Sequence, residues 1–379
     1  MKAVRVVTML VLMLALMGLP VSAADTDGDG LSDAFEQRYG VTDFQDPDTD
    51  GDGVIDSAED NDGDDLGNKG EQRFGTHPGK RDTDRDGRPD GKEDADRDGR
   101  KNKFEQDQRP LPAALTPSLK RAADDEQPNR TDCQVKHGTW RVKKCVFGDP
   151  ASSTTLTLVG DSNMTMYLTP LKRIAKERGW RLELMAKSSC PSFLGLQGLL
   201  QSTIDGGITC RKWRRAMLDE LRADPPDYLM FANVSYALVT VKGKPIPGRK
   251  RPGVWKDAVK RTLKQLPART DVVVLGTLPK NDGNPVNCLK VNRKDMSRCT
   301  HRRIPSDKRR VDLAIRAGAA AGGGAYASLH GRICTYDPCP VVHGNVLLWR
   351  NGVHVSETFA QRLQPALAGI IERKLVRAK

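Results

Sequence analysis

The sequence predicts an α/β protein: a three-layer domain with a parallel sheet between helices, preceded by an irregular array of acidic loops. Beyond about residue 150, short β-branched apolar runs alternate with longer helix-compatible segments, the pattern of a sheet covered on both faces. Before residue 106 that alternation is missing, and one Asp-rich pattern recurs instead. Charge separates the same two parts. Residues 25–105 hold 26 acidic and 12 basic residues, whereas the whole 379-residue chain is at +12. Two domains with opposite surfaces follow.

Residues 1–24 read as an export signal. Lys2 and Arg5 precede an apolar run from Val6 to Leu19, and Val21-Ser22-Ala23-Ala24 supplies small residues suited to cleavage. The run falls short of the ~18 apolar residues of a membrane span, and no other stretch approaches that length. The expected mature protein is secreted or at the cell surface, periplasmic or extracellular in a bacterium. The eight cysteines fit such an oxidising compartment, and all lie between Cys133 and Cys339. Proximity along the chain suggests Cys133–Cys145, Cys190–Cys210, Cys288–Cys299 and Cys334–Cys339. No paired C-x-x-C motif argues for zinc.

From Asp25 one twelve-residue pattern repeats, with acidic or amide side chains at positions 1, 3, 5, 9 and 12. The first loop carries Asp25, Asp27, Asp29, Asp33 and Glu36. The second carries Asp48, Asp50, Asp52, Asp56 and Glu59, and the third Asp60, Asp62, Asp64, Asn68 and Glu71. The fourth carries Asp82, Asp84, Asp86, Asp90 and Glu93, and the fifth Asp94, Asp96, Asp98, Asn102 and Glu105. This is the oxygen-ligand spacing of a calcium loop, with a backbone carbonyl at position 7 and a bidentate glutamate at 12. Gly30, Gly53, Gly87 and Gly99 stand at position 6, where the chain must turn sharply; the third loop has Asp65 there. Short carboxylates crowded on one centre repel one another until a cation relieves them, so structural Ca2+ is the expected cofactor. Without it, a stretch this poor in apolar residues is expected to be largely disordered. The array resembles thrombospondin type-3 and related bacterial Asp-rich repeats. That resemblance implies a calcium-stiffened spacer or wall-facing stalk over residues 25–105.

Residues 106–132 contain Pro110, Pro112, Pro117 and Pro128 among polar residues and read as a mobile linker. The second domain, 133–379, opens with a short Cys133–Cys145 segment. Its strands are expected at 155–160, 181–186, 227–232 and 271–276. Helices are expected at 167–178, 210–222, 255–266, 311–321 and 359–376. Sites in such sheets lie at the C-terminal strand edge, and Ser162, Asn233 and Gly276 all follow strands there. Gly160-Asp161-Ser162 is the sharpest of these turns, putting a hydroxyl between a strand end and a helix start. His354, just before the last helix, is placed to reach back to Ser162.

From Cys133 to the end the chain resembles the SGNH (GDSL-like) hydrolase domains, and among them those fused to membrane O-acyltransferases. The residues that carry this are Cys145-Val146-Phe147-Gly148-Asp149, Gly160-Asp161-Ser162, Ser189-Cys190-Pro191, Gly276-Thr277-Leu278-Pro279, Cys334 with Cys339, and the stretch from Trp349 to Ser356. The resemblance implies a flavodoxin-like α/β/α domain with Ser162 as nucleophile and His354 as general base. The Ser162 amide and the Asn233 side chain would donate to the oxyanion, with Gly195 as a weak further donor. Two positions depart from the family pattern. Asn351 stands where an aspartate usually orients the histidine, and Asn163 where a histidine often follows the serine. An amide at 351 can favour the wrong imidazole tautomer. His343 is the nearest alternative histidine but lies outside the matching stretch.

The function this implies is an exported serine esterase or O-acyltransferase acting on an acylated cell-envelope glycan or anionic wall polymer through an acyl-serine. The alternative is a catalytically degenerate domain that only binds wall polymer. The basic second domain suits anionic partners, while export and the lack of any nucleic-acid motif argue against nucleic acid.

Overall fold

The structure, a computed structural model, describes residues 24–128, 130–234, 244–279, 281, 283–301 and 306–376. All of the expected export signal except Ala24 lies outside the described residues.

In the array the longer helices are short, α1 (Asp33–Tyr39) and α2 (Asn68–Phe74), about two turns each and each stopped by a left-handed glycine, Gly40 and Gly75; residues Asn102–Glu105 add a single turn. The second domain runs β1 (Gln134–Val135), β2 (Cys145–Gly148), β3 (Thr155–Gly160), α3 (Ser162–Thr165), α4 (Leu168–Glu177) and β4 (Arg181–Lys187). It continues through α5 (Ile208–Ala223), β5 (Tyr228–Ala232), α6 (Arg251–Leu263), β6 (Asp271–Leu275), α7 (Ser306–Gly322) and β7 (Ala325–Ala327). A hairpin of β8 (Val342–His343) and β9 (Val346–Leu347) and the helices α8 (Glu357–Arg362) and α9 (Gln364–Lys374) close the chain. The expected single closing helix is two, with Pro365 near the start of the second.

β1 to β7 form one sheet in the order β1-β4-β3-β5-β6-β7, all parallel except β2, which pairs antiparallel with β4. The strand period of two sorts side chains between two cores. Leu156 and Leu158 of β3, Met230 of β5 and Val273 of β6 pack on the α4, α8 and α9 side. Val159, Leu229, Phe231 and Val274 pack on the α5, α6 and α7 side with Trp213 and Trp255. Each fully buried side chain of this size contributes ~1.5–3 kcal/mol. The two layers therefore hold the sheet edge, and with it Ser162, in place. All four cysteine pairs form as proximity suggested.

Two expectations are corrected. Residues 106–128 are not a mobile linker but a packed strap. The Leu111 N–H donates to the Arg293 carbonyl, and Thr116 exchanges backbone hydrogen bonds with Asn345 and Leu347. Leu119 and Ala122 are buried in the α4 core. Asp125 accepts from the backbone of Glu357 and Thr358 at the start of α8, and Arg350 pairs with Glu126 at 2.8 Å. The prolines that suggested mobility shape a fixed path along apolar surface. Nor is the array a stalk. It folds back onto the second domain, where Arg332 pairs with Asp52, and the Tyr336 hydroxyl donates to Asp107 at the start of the strap. Gly53 lies so close to the Arg362 carbonyl, and Gly67 to the Tyr336 ring, that neither has room for a Cβ. The apolar residues at position 7, Leu31, Val54 and Leu66, are buried beneath the loops.

Candidate functional site

β3 ends at Gly160, where any side chain would strike the Ala232 carbonyl on the neighbouring strand. This close approach lets the chain turn at once into α3. Asp161 caps α3 and is fully buried. One carboxylate oxygen accepts from the Asn163 N–H at 2.9 Å, the other from the Val234 N–H at 2.9 Å. It therefore ties the β3 turn to the β5 loop, and burial pushes its carboxyl up to about 7. With both oxygens committed, Asp161 is structural.

The turn presents Ser162, and its Oγ lies 2.9 Å from His354 Nε2. His354 sits on a loop held at both ends. The Arg350 N–H donates to the His354 carbonyl, and the Val355 N–H to Met166 Sδ at 3.2 Å. Asn351 Oδ1 lies 3.1 Å from His354 Nδ1 and also accepts from the backbone N–H groups of Val353, at 3.0 Å, and His354, at 2.9 Å. The last two contacts decide a chemical question. Backbone N–H groups only donate, so the amide must face them with its oxygen. That oxygen is the atom at Nδ1, so Nδ1 carries the proton and Nε2 is left free to accept one from Ser162. The departure from an aspartate thus keeps the useful tautomer. What it lacks is the negative charge that would stabilise an imidazolium.

Asn233 follows β5. Its Oδ1 accepts from the Ser192 N–H at 2.8 Å, which fixes the amide. Its Nδ2 is buried with no hydrogen-bond partner among the described residues. A buried donor without an acceptor is costly unless something else fills the role, as a developing oxyanion would. Gly195 is far less suggestive: it lies eight residues beyond β4 against the Arg261 guanidinium. Sequence reasoning missed Ser189, two residues past β4, which holds a left-handed φ of 53. Its N–H has no hydrogen-bond partner among the described residues. The signals were its place directly after a strand and its membership of the Ser189-Cys190-Pro191 stretch that carries the family resemblance. Asn163 is buried just behind the serine, its Oδ1 unpartnered. His343 is buried against Phe359, and desolvation pushes its imidazole down to about 3. It is a core residue, remote from this chemistry.

In the array, the carboxylates at positions 1, 3 and 5 of all five loops converge to within 4.8 Å of one another. Position 12 completes the picture: both carboxylate oxygens of Glu71 are buried without hydrogen-bond donors among the described residues, and Glu36 is buried with Thr42 as its one neighbouring donor. Burial and the neighbouring carboxylates push Glu36 up to about 7, Glu59 to about 8 and Glu71 to about 9. Such groups could hold a hard divalent cation, since all donors are oxygen and the orphaned Glu71 pair lacks only a positive charge. Position 9 does not join the cluster. Asp33, Asp56 and Asp90 each give both oxygens to the threonine at position 2, Thr26, Thr49 and Thr83, and brace the loop. Asn102 likewise accepts from Ala95, and Asn68 donates to the Asp56 carbonyl. The missing glycine of the third loop is tolerated because Asp65 itself takes a left-handed φ of 77.

The family described as the SGNH domain fused to AT3 domains matches residues 132–369. The chain belongs to this family. Its solved relatives are distant. The chain is similar to the periplasmic domain of a lipopolysaccharide acetyltransferase from Salmonella ser. Paratyphi A. That match has 13% identity and a TM-score of 0.45, over 59% of this chain and 85% of the other. A carbohydrate esterase family 2 enzyme from Corynascus thermopiles, with its carbohydrate-binding domain, matches at 15% identity and a TM-score of 0.35. It covers 59% of this chain and 66% of its own. No curated protein sequence matches the chain. As an SGNH domain it supports hydrolase or acyltransferase chemistry. Among the described residues no helix is long and apolar enough to cross a membrane.

Proposed function

We propose that the chain is an exported serine esterase or O-acyltransferase acting on an acylated cell-envelope glycan, its catalytic unit a Ser162–His354–Asn351 triad. The observation that carries this is the aligned pair of contacts at His354, 2.9 Å to Ser162 Oγ and 3.1 Å to Asn351 Oδ1. In the forward step Ser162 Oγ attacks the ester carbonyl while His354 Nε2 takes its proton. The oxyanion collects hydrogen bonds from the Ser162 and Ser189 amides and from Asn233 Nδ2. His354 then protonates the departing sugar oxygen, leaving an acyl-serine. Water or a second hydroxyl, deprotonated by the same nitrogen, releases the acyl group and restores Ser162. Four disulfides fit an oxidising compartment.

The array is read as a structural Ca2+ module in the manner of thrombospondin type-3 repeats. Positions 1, 3, 5 and 12 would hold the ions, and the buried Glu36 and orphaned Glu71 support this. When bound, the ions supply charge neutralisation to the loops.

The test is labelling of the purified protein with a fluorophosphonate beside Ser162→Ala. Labelling of the wild type alone, together with acetate release from an acetylated glycan, is expected. Equal labelling of both proteins, or none in a folded calcium-loaded sample, would move the reading to a glycan-binding domain without catalysis.

A further inference from the structure

The parallel topology gathers positive charge on one side of the catalytic edge. α5, α6 and α7 each lead into the N-terminal end of a strand, so their own N-termini lie at the C-terminal strand edge, where Ser162 stands. The helices have 16, 13 and 17 residues, while β5 and β6 have 5 each. At about 1.5 Å per helical and 3.3 Å per strand residue, the helices outrun the strands by several Å and form a raised rim.

That rim is cationic where cations are least expected. A helix N-terminus favours acidic residues. The first turns of α5 and α6 hold none. Instead Arg211 and Lys212 are exposed at the start of α5, and Arg249 and Lys250 on the turn leading into α6. At α7, Asp307 is followed by Arg309 and Arg310, both exposed. These side chains work against the helix dipoles, so local stability does not explain them. One acid faces them at α5, where the Asp205 carboxylate accepts from the Gly207 and Thr209 N–H groups; the array's contacts with Arg332, Tyr336 and Arg362 lie at the other helical layer.

A second, independent feature lies on the same edge. Trp140 follows β1 and is 45% exposed, with Lys212 Nζ 5.8 Å from its ring centre. Lys187, the last residue of β4, fixes its backbone by donating to the Thr139 and Lys136 carbonyls at 2.6 and 2.9 Å. A large aromatic face held rigid beside cations suits a sugar ring whose neighbours bear anionic groups.

We propose that this rim is the polymer-binding surface, and that the substrate is a polyanionic glycan. Its anionic groups lie along the N-termini of α5, α6 and α7, with one sugar ring on Trp140. This names the substrate class of the esterase reading and rests on it.

The experiment compares wild type, the quadruple variant Arg211→Gln/Lys212→Gln/Arg249→Gln/Lys250→Gln, and Trp140→Ala. All five positions are exposed, so folding should survive. Binding is measured by calorimetry with polygalacturonate across a salt series, with inorganic polyphosphate as a competitor. Turnover is measured on acetylated polygalacturonate and on neutral acetylated xylan, with fluorophosphonate labelling alongside. The quadruple variant should bind polygalacturonate at least tenfold more weakly and show a shallower salt dependence. Its KM should rise on the acidic polymer only, with kcat and labelling unchanged. Trp140→Ala should raise KM on both polymers. Competition by polyphosphate as strong as by polygalacturonate would mean that the rim reads charge alone, overturning the glycan assignment. Equal affinity of variant and wild type, or salt-insensitive binding, would overturn the surface. Absent wild-type labelling with binding intact would sink the esterase reading and leave the rim standing.

Discussion

The two halves of this chain bury opposite things. The sheet domain buries apolar side chains in two layers, with Trp213, Trp255 and Trp349 fully enclosed. The array buries carboxylates: Asp29, Asp64, Glu36, Glu71 and Glu105 are each 3% exposed or less. Apolar burial stabilises without any partner, whereas a buried carboxylate costs free energy until it is neutralised. One region carries its own cohesion, and the other is a fold awaiting charge. The contrast extends to the edges. Among the described residues the sheet domain gives Asn233 Nδ2 no acceptor, where chemistry would supply one. Among the same residues the array leaves Glu71 unpaired where an ion would bind.

Ser162 is where the two regions should separate most. Ser162→Ala should lower turnover by about 10⁴-fold or more while leaving calcium binding intact. Retained turnover would remove Ser162 from the chemistry. Next in size is calcium itself. Each saturated site should stabilise the array by ~2.7 kcal/mol at a hundredfold excess over Kd. Chelation should therefore open residues 25–105 to protease while the sheet domain stays folded. Equal protease resistance with and without chelator would mean that the array is self-sufficient.

His343 offers a pH test of the apolar half. Burial lowers its folded pKa from 6.5 to about 3. The unfolded chain therefore takes up a proton that the folded one refuses. Stability is full above about pH 6.5 and is lost as pH falls toward 3, by an amount on the order of a few kcal/mol. His343→Phe should flatten that acid limb in a urea titration, and an unchanged limb would assign it to other groups. Smaller still, Asn351→Asp should raise turnover by about tenfold by stabilising the imidazolium. The acid limb of the rate profile should move to higher pH, since the carboxylate raises the His354 pKa. No shift would show that residue 351 does not act through His354. Last, Gly67→Ala should strain the docked array against Tyr336 by ~1–2 kcal/mol, seen as a lower thermal midpoint in saturating calcium.

Much of this was legible before any coordinates. The strand ending in Gly160-Asp161-Ser162 announced itself by β-branched residues followed by a turn, and the Asp161 cap is local chemistry. The hairpin of β8 and β9 was not legible, because two-residue strands carry no periodic signal. Residues 106–128 misled because prolines mark irregular backbone whether it is mobile or packed. At position 9 the sequence did not show that the aspartate braces the threonine at position 2, because that contact is set by the loop's folded path.

By itself the sequence pointed to the parallel sheet through four of its strands and the helices between them, and proximity along the chain suggested the cysteine pairs that form. All of these rest on residues close together in the chain or on a short period. Only the tertiary structure decided that the array lies against the sheet domain, and that Asn351 presents its oxygen to His354. Only it decided that Trp140 stands beside Lys212. These depend on groups brought together across long separations, where packing and hydrogen-bond direction, not composition, choose the partner.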